Sequence, residues 1–311
     1  CLALAAAIGF FVLRGDPLDM GAAPPGRGAE RTGALVVAGG LALVGCVLIA
    51  TLLAVVERFR ARAASRPVSA PMRTWSIFVW LVSWLGASVV AQALVSQDRW
   101  SGLVPVFHLL AVAIPVFLLV RIATAGIAGG SRLRLWGSIS SGMVLSTGLA
   151  MLVEFSLLLL SAIVGFLYLV INPEQAVALQ HLATRLQEIS TPSDAVNLVG
   201  KSLTSPGALV TALAIVAVIT PVIEELAKSV PAWLISDRIT AAGQGLWVGA
   251  LAGAGFALVE GILVSSDATY GLGYILVLRA GSSLMHILSG ALSGLGIGAM
   301  RGGGGRGRVA I

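Results

Sequence analysis

Long apolar segments, separated by polar or arginine-bearing stretches, recur along most of the chain. Most of them reach the length of about 20 residues that a helix needs to cross the hydrocarbon core of a bilayer. We therefore predict an all-α, polytopic membrane bundle of about eight spans. The predicted spans are Cys1–Leu13, Gly33–Val56, Trp75–Val95, Leu103–Ala125, one within Trp136–Ile171, Ala208–Ile235, Gly245–Ser265 and Tyr274–Met300.

Composition and charge favour a membrane protein over a soluble one. Hydrophobic residues make up 57% of the 311 positions and charged residues 11%, whereas soluble domains carry about 25% charged residues. The formal charge of +6 comes from arginines that lie between the apolar segments. This distribution predicts that the basic side of the bundle and the C-terminus are cytoplasmic, and it does not predict nucleic-acid binding.

One sizeable polar stretch, Asn172–Pro206, separates two predicted spans. Within it, Ala176–Ile189 has apolar residues at helical spacing, which predicts an interfacial or lid-like amphipathic helix. The tail 301–311 is rich in Gly and Arg and is predicted to be disordered.

Two adjacent glutamates, Glu224 and Glu225, interrupt the sixth apolar segment. Ionisable side chains at membrane depth cost roughly 2.5–3.5 kcal/mol each on insertion scales, so by default they mark a functional site. Lys228 follows at helical spacing and can pair with either carboxylate. Two adjacent carboxylates cannot both ionise cheaply in a low dielectric, which suits one of them to take a proton from water. Solvated charges at a helix end are the alternative interpretation.

Two further ionisable residues, Glu260 and His286, lie in the last two predicted spans. Helical spacing places Phe256 on the face of Glu260, and Arg279 and Ser282 on the face of His286. Both segments carry glycines four residues apart, which lets membrane helices pack closely. These glycines are Gly245, Gly249 and Gly253, and Gly290, Gly294 and Gly298. We predict that Glu260 faces a close neighbour and that His286 is catalytic or a ligand; a structural hydrogen bond is the alternative for each.

The depths of the two glutamate positions differ in the predicted bundle. Counting from the span ends places Glu224 toward the inner half of the membrane and Glu260 toward the outer half. Tilted or broken helices would bring them level, and Pro221 and Pro231 are the candidate break points.

Three motifs follow in order on consecutive predicted helices: Glu-Glu-x-x-Lys at 224–228, Phe-x-x-x-Glu at 256–260 and His-x-x-x-Gly at 286–290. Together they resemble the PrsW-type intramembrane proteases, which are related to the CAAX prenyl proteases and to bacteriocin-processing membrane peptidases. The resemblance is strongest over residues 215–298. The chain departs from the family pattern at Gly261, where members often carry Asn.

The resemblance implies a protease of the bacterial cell membrane in which Glu224, Glu225, Glu260 and His286 carry catalysis. It also implies a division of the chain into N-terminal membrane helices of open role, a protease core and the tail. The boundaries that we predict are 1–134, 135–300 and 301–311.

Residues and resemblance together predict hydrolysis of a peptide bond in a membrane-tethered protein, with site-1-type cleavage of an anti-sigma factor as a candidate. We expect Glu224 to activate the water, with Glu225 and Lys228 setting its protonation. Glu260 would hold the water or a second proton, and His286 would donate to the developing oxyanion. The predicted supporting residues are Lys228, Phe256, Arg279 and Ser282. The predicted partners are this substrate and the lipid bilayer, and no oligomeric state is predicted.

Zinc is the alternative cofactor, bound by His286, Glu224 and Glu260. Catalytic zinc sites usually have two or three histidines or a His-His-Glu set, so a metal-free glutamate mechanism without a cofactor is favoured. A proton- or cation-coupled transporter would also gather intramembrane carboxylates, but the chain has no second, inverted copy of the Glu-Glu segment. A catalytically silent scaffold is the third function class.

Overall fold

The computed structural model describes residues 27–60, 74–95, 102–127, 130–187, 210, 213–265 and 272–302. Over these ranges the chain is almost entirely helical, and they contain no strand. The main elements are α1 (Arg27–Arg60), α2 (Thr74–Val95), α3 (Val104–Ala123), α4 (Arg132–Ser141), the π-helix π1 (Gly142–Ser146), α5 (Thr147–Ile171), α6 (Pro173–Gln187), the π-helix π2 (Ile215–Ile219), α7 (Thr220–Leu234), α8 (Ala242–Ser265) and α9 (Leu272–Gly302).

Six helical stretches of the described chain are long and apolar enough to cross a membrane. They are Leu35–Phe59, Trp75–Leu94, Val104–Ala123, Arg132–Ile171, Ala242–Ser265 and Ile275–Arg301. This finding confirms the predicted all-α polytopic membrane bundle. Of the other two predicted spans, Cys1–Leu13 lies outside the described residues. The second, Ala208–Ile235, corresponds in its described part mainly to π2 and α7. It is not among the six stretches, and it differs from them in carrying Glu224, Glu225 and Lys228.

The longest membrane stretch, Arg132–Ile171, comprises α4, π1 and α5 and runs for 40 residues. It is about twice as long as one crossing requires. Its second half is apolar and exposed, with Phe155 56%, Leu160 57% and Phe166 67% accessible. A helix with apolar side chains exposed all round is stable in lipid and not in water.

The chain divides into two compact units. Among the described residues, one unit comprises those within 150–223 and the other those within 27–149 and 224–302. The second unit contains every residue predicted to form the functional site.

In this second unit, α8 lies at the centre and is buried along nearly its whole length. Its core side chains include Trp247, Leu251 and Leu258, which cluster with Val116 of α3 and Ile287 of α9. The N-terminal helices therefore belong to the packing that holds α8 in place. A buried hydrogen-bonding contact adds to it, because Nε2 of His108 on α3 lies 2.6 Å from Oγ of Ser265 on α8.

Glycines bring α8 and α9 into direct backbone contact. A Cβ atom added at Gly245 would collide with the carbonyl of Gly294, and one added at Gly249 would collide with that of Gly290. At Gly253 the added atom would collide with the carbonyl of His286. The close packing predicted for each glycine-bearing helix is thus confirmed, and the structure shows that the two helices pack against each other.

The two polar segments predicted outside the membrane are described only in part. Helix α6, Pro173–Gln187, confirms the helix predicted at Ala176–Ile189 over the residues that can be compared. The remainder of the stretch up to Pro206 lies outside the described residues. At the C-terminus α9 extends to Gly302, and the tail beyond it also lies outside them.

The glycine contact yields a test of the packing. Gly249→Ala should separate α8 from α9 and lower the unfolding temperature in detergent, because the methyl group would occupy the position of the Gly290 carbonyl. Gly281→Ala is the matched control, since a Cβ atom there meets nothing within 4 Å. Equal unfolding temperatures for the two variants would show that the backbone contact is not required.

Candidate active site

Helix α7 is amphipathic, but its charged face is buried and its exposed face is apolar, the reverse of a surface helix in a soluble protein. Its buried residues are Glu224, Ala227, Lys228, Pro231 and Ala232, which recur at helical spacing on one face. Its exposed residues are apolar: Leu226 is 64%, Trp233 48% and Leu234 66% accessible. Glu224 and Lys228 therefore point into the protein, whereas Glu225 stays partly accessible.

Lys228 is shared between the two glutamates. Its Nζ lies 2.8 Å from Oε1 of Glu225 and 3.4 Å from Oε2 of Glu224. The lysine side chain is 1% accessible, that of Glu224 11% and that of Glu225 39%. One buried cation therefore compensates two carboxylates, as their spacing on a helix predicted.

The helix that carries this charged set is preceded by the π-helix π2, Ile215–Ile219. Pro221 follows immediately, and a proline removes one hydrogen bond of the α-helical pattern because it has no N–H. A π-turn beside a proline is one of the recognised ways to distort a helix, and such turns occur often at functional sites. The helix is therefore irregular just before Pro221, where the π-helix passes directly into α7 without a gap. At Pro231 the helix continues.

The second charged set joins α8 to α9. Nε2 of His286 lies 2.5 Å from Oε2 of Glu260, and Nη2 of Arg279 lies 2.8 Å from the same oxygen. Oγ of Ser282 is 3.3 Å from Nε2 of His286. The close approach at Gly253 explains this arrangement, because it places the backbone of His286 against α8, two turns before Glu260.

Phe256 lies between the two charged sets. Nζ of Lys228 is 4.7 Å from the centre of its ring, within the range of a cation–π contact. The centre of the His286 ring lies 5.2 Å from the centre of the Phe256 ring, and the two ring planes are inclined by 51°. Phe256 therefore connects the two sets, and the difference in depth expected from the span ends does not keep them apart.

These contacts bring together all eight residues that the sequence predicted for the site. They are Glu224, Glu225, Lys228, Phe256, Glu260, Arg279, Ser282 and His286. The catalytic role of each stays a prediction. Sequence reasoning missed a different feature: Arg58, Arg134 and Arg238, which it used only to orient the bundle, line one cavity of about 280 Å³.

Comparison with known proteins supplies the family. Residues 135–311, more than half of the chain, match the family described as PrsW family intramembrane metalloprotease. The chain belongs to the PrsW family of intramembrane proteases. No curated protein and no solved structure matches it. The match contains both charged sets.

The PrsW family is described as a family of metalloproteases, so we compared the side chains of the site with the ligands that a zinc ion requires. Among the described residues, no group of three or more His, Cys, Asp and Glu side chains could hold a metal ion. Nε2 of His286 contacts Glu260, whose oxygen also pairs with the cation of Arg279. Catalytic zinc needs about three protein ligands, commonly with two or more histidines. The residues in this arrangement do not fit a zinc centre.

The shared lysine yields a stability prediction. Lys228→Met would leave two carboxylates without their buried cation, and breaking a buried pair on one side costs about 3–5 kcal/mol. We expect a clear fall in the unfolding temperature in detergent. The triple variant Glu224→Gln, Glu225→Gln and Lys228→Met removes all three charges and should recover most of the loss.

The matched control is Arg132→Met, which breaks an ion pair at 3.7 Å in which both side chains are at least 60% accessible. Exposed pairs contribute about 0–1 kcal/mol, so this variant should unfold close to the wild-type temperature. If Lys228→Met did the same, the lysine would not compensate the two glutamates.

Proposed function

We propose that this PrsW-family protein cleaves a membrane-tethered protein by carboxylate-activated water, without a bound metal. The observation that carries the proposal is the buried Glu224–Lys228 pair with the partly accessible Glu225 beside it, separated by one aromatic ring from the Glu260–His286 pair. The family match favours a protease over the transporter and the silent scaffold.

The first step assigns the water-activating base. With both glutamates ionised, one lysine leaves the set with a net negative charge, whereas a proton on either carboxyl makes it neutral. The set thus has one carboxylate more than it has cations, which suits it to take a proton from a water molecule that attacks a peptide carbonyl. We assign this role to Glu224, because Glu225 makes the shorter contact with Lys228.

The second step assigns the Glu260–His286 pair. Oε2 of Glu260 pairs with both His286 and Arg279, which supports a positioning role for Glu260 in place of the predicted role of holding water. A carboxylate beside a histidine fixes the orientation of the ring, as in hydrolase triads. With Nε2–H of His286 donated to Glu260, Nδ1 can donate only when the ring is the imidazolium ion, and we assign the Nδ1–H of that ion to the developing oxyanion.

The substrate follows from the location of the site on membrane helices. A helix has no free backbone carbonyl in its interior, so the cleaved segment must be extended. We infer a substrate with an extended segment beside its membrane anchor, and an anti-sigma factor is the candidate that the family resemblance suggested. A bacterial cell membrane with the basic side cytoplasmic is the corresponding location.

Glu224→Gln tests the assignment of the base. The amide keeps the shape of the side chain and cannot take the proton, so cleavage of a membrane-tethered reporter in proteoliposomes should fall by about 10²–10⁴. Glu57→Gln is the matched control, since Glu57 is 60% accessible and pairs only with the exposed Arg132 among the ion pairs of the described residues. Full activity of Glu224→Gln would remove Glu224 from the mechanism.

Chelation tests the role of metal. Prolonged treatment with a membrane-compatible chelator should leave cleavage of the same reporter unchanged, and the purified protein should contain less than stoichiometric zinc. The control is a known zinc protease treated in parallel, which must lose activity. Loss of cleavage that Zn²⁺ alone restores would replace the glutamate mechanism by a metal mechanism.

A further inference from the structure

A cavity of about 280 Å³ opens between α1, α4 and the end of α7. Its volume is just below the usual range of small-ligand pockets, about 300–1,000 Å³. Three arginines line it, Arg58, Arg134 and Arg238, and the lining contains no carboxylate. None of these residues belongs to the two charged sets of the candidate active site.

One of the three guanidinium groups is held in place. Arg134 donates from Nη1 to Oε1 of Gln244 at 3.4 Å and from Nη2 to the carbonyl of Arg238 at 3.2 Å. Gln244 is in turn fixed by the backbone N–H of Thr240, at 3.2 Å. A guanidinium held in this way binds an oxyanion with little loss of side-chain entropy, and its planar donors match the geometry of a phosphate.

The rest of the lining is mixed: it contains Ser131, Gly137, Ser138 and Ser141, and four apolar residues, Leu133, Pro231, Leu234 and Ile235, which we call the apolar wall. Leu234 is 66% accessible, so this wall continues to the molecular surface. A cavity that combines three cations and three hydroxyl groups with an apolar wall fits an amphiphile with an anionic headgroup.

The level of the cavity in the bundle points to the same ligand. Arg58 lies in the last turn of the membrane stretch Leu35–Phe59, and Leu133 and Arg134 lie in the first turn of Arg132–Ile171. Pro231 and Leu234 belong to the last turn of α7. Ends of membrane helices lie at the depth of the lipid headgroups, where basic pockets between helices bind anionic lipids.

We propose that this cavity binds the phosphate of an anionic phospholipid, with Arg58, Arg134 and Arg238 around the phosphate and the apolar wall along the start of the acyl chains. The cavity would bind a phosphate group, which a lipid headgroup and a free phosphate ion can both supply; the experiment below distinguishes these two sources. The site is independent of the proposed proteolytic mechanism, so neither depends on the outcome of the other's test.

Native mass spectrometry of the delipidated protein in detergent tests the proposal with three probes. They are dioctanoyl-phosphatidylglycerol, dioctanoyl-phosphatidylcholine and inorganic phosphate. The wild-type protein should bind phosphatidylglycerol at least about ten times more tightly than the other two. Arg58→Gln with Arg238→Gln should weaken that binding by roughly 10- to 30-fold, since each arginine near the headgroups contributes about 1 kcal/mol.

The control is the double variant Arg132→Gln and Arg301→Gln, which removes two charges that do not line the cavity. It should weaken binding by less than about threefold. The side chain of Arg238 is 75% accessible, so its replacement should leave the fold intact, which circular dichroism checks. Equal loss in the two double variants would overturn the site. Binding of inorganic phosphate as tight as that of phosphatidylglycerol, with the same arginine dependence, would overturn the lipid as its ligand.

Discussion

Backbone contact between α8 and α9 is the constraint on which the rest of the site depends. Because Gly253 has no side chain, the carbonyl of His286 can lie directly against α8. This contact determines which residues of the two helices are level with each other. Glu260 then meets His286 and Arg279, and Phe256 meets the histidine ring. A larger residue at Gly253 would move His286 away from both.

Charge compensation is the second physical requirement, since this unit buries ionised groups inside an apolar bundle. Each charged set contains both signs: Lys228 lies with two glutamates, and Glu260 lies between His286 and Arg279. Unpaired charges at such depth would be too costly to retain.

The N-terminal helices have a structural part in this arrangement. Side chains of α1 and α3 pack into the core around α8, and the contact between His108 and Ser265 ties α3 to the end of α8. Arg58 of α1 also completes the arginine-lined cavity. The family match begins only at residue 135. The helices before it nevertheless hold the central helix of the matched region, so we expect the matched region to depend on them for its stability.

The sequence by itself determined the class of the protein, its helices and the set of candidate site residues. An apolar segment of membrane length indicates that lipid surrounds the helix. Helical spacing indicates which residues share a face, as for Glu224 and Lys228 or Ser282 and His286. Both are local properties of the chain. The glycine spacing likewise predicted that α8 and α9 each pack closely against a neighbouring helix.

Only the tertiary structure decided how these faces meet. The sequence placed Glu224 and Glu260 at different depths, and it could not show that the Phe256 ring would contact both Lys228 and His286. It counted Arg58, Arg134 and Arg238 as markers of orientation, although they line one cavity. Depth, tilt and lateral neighbours arise from packing between distant segments. The pattern along one helix carries no information on which other helix will cover it.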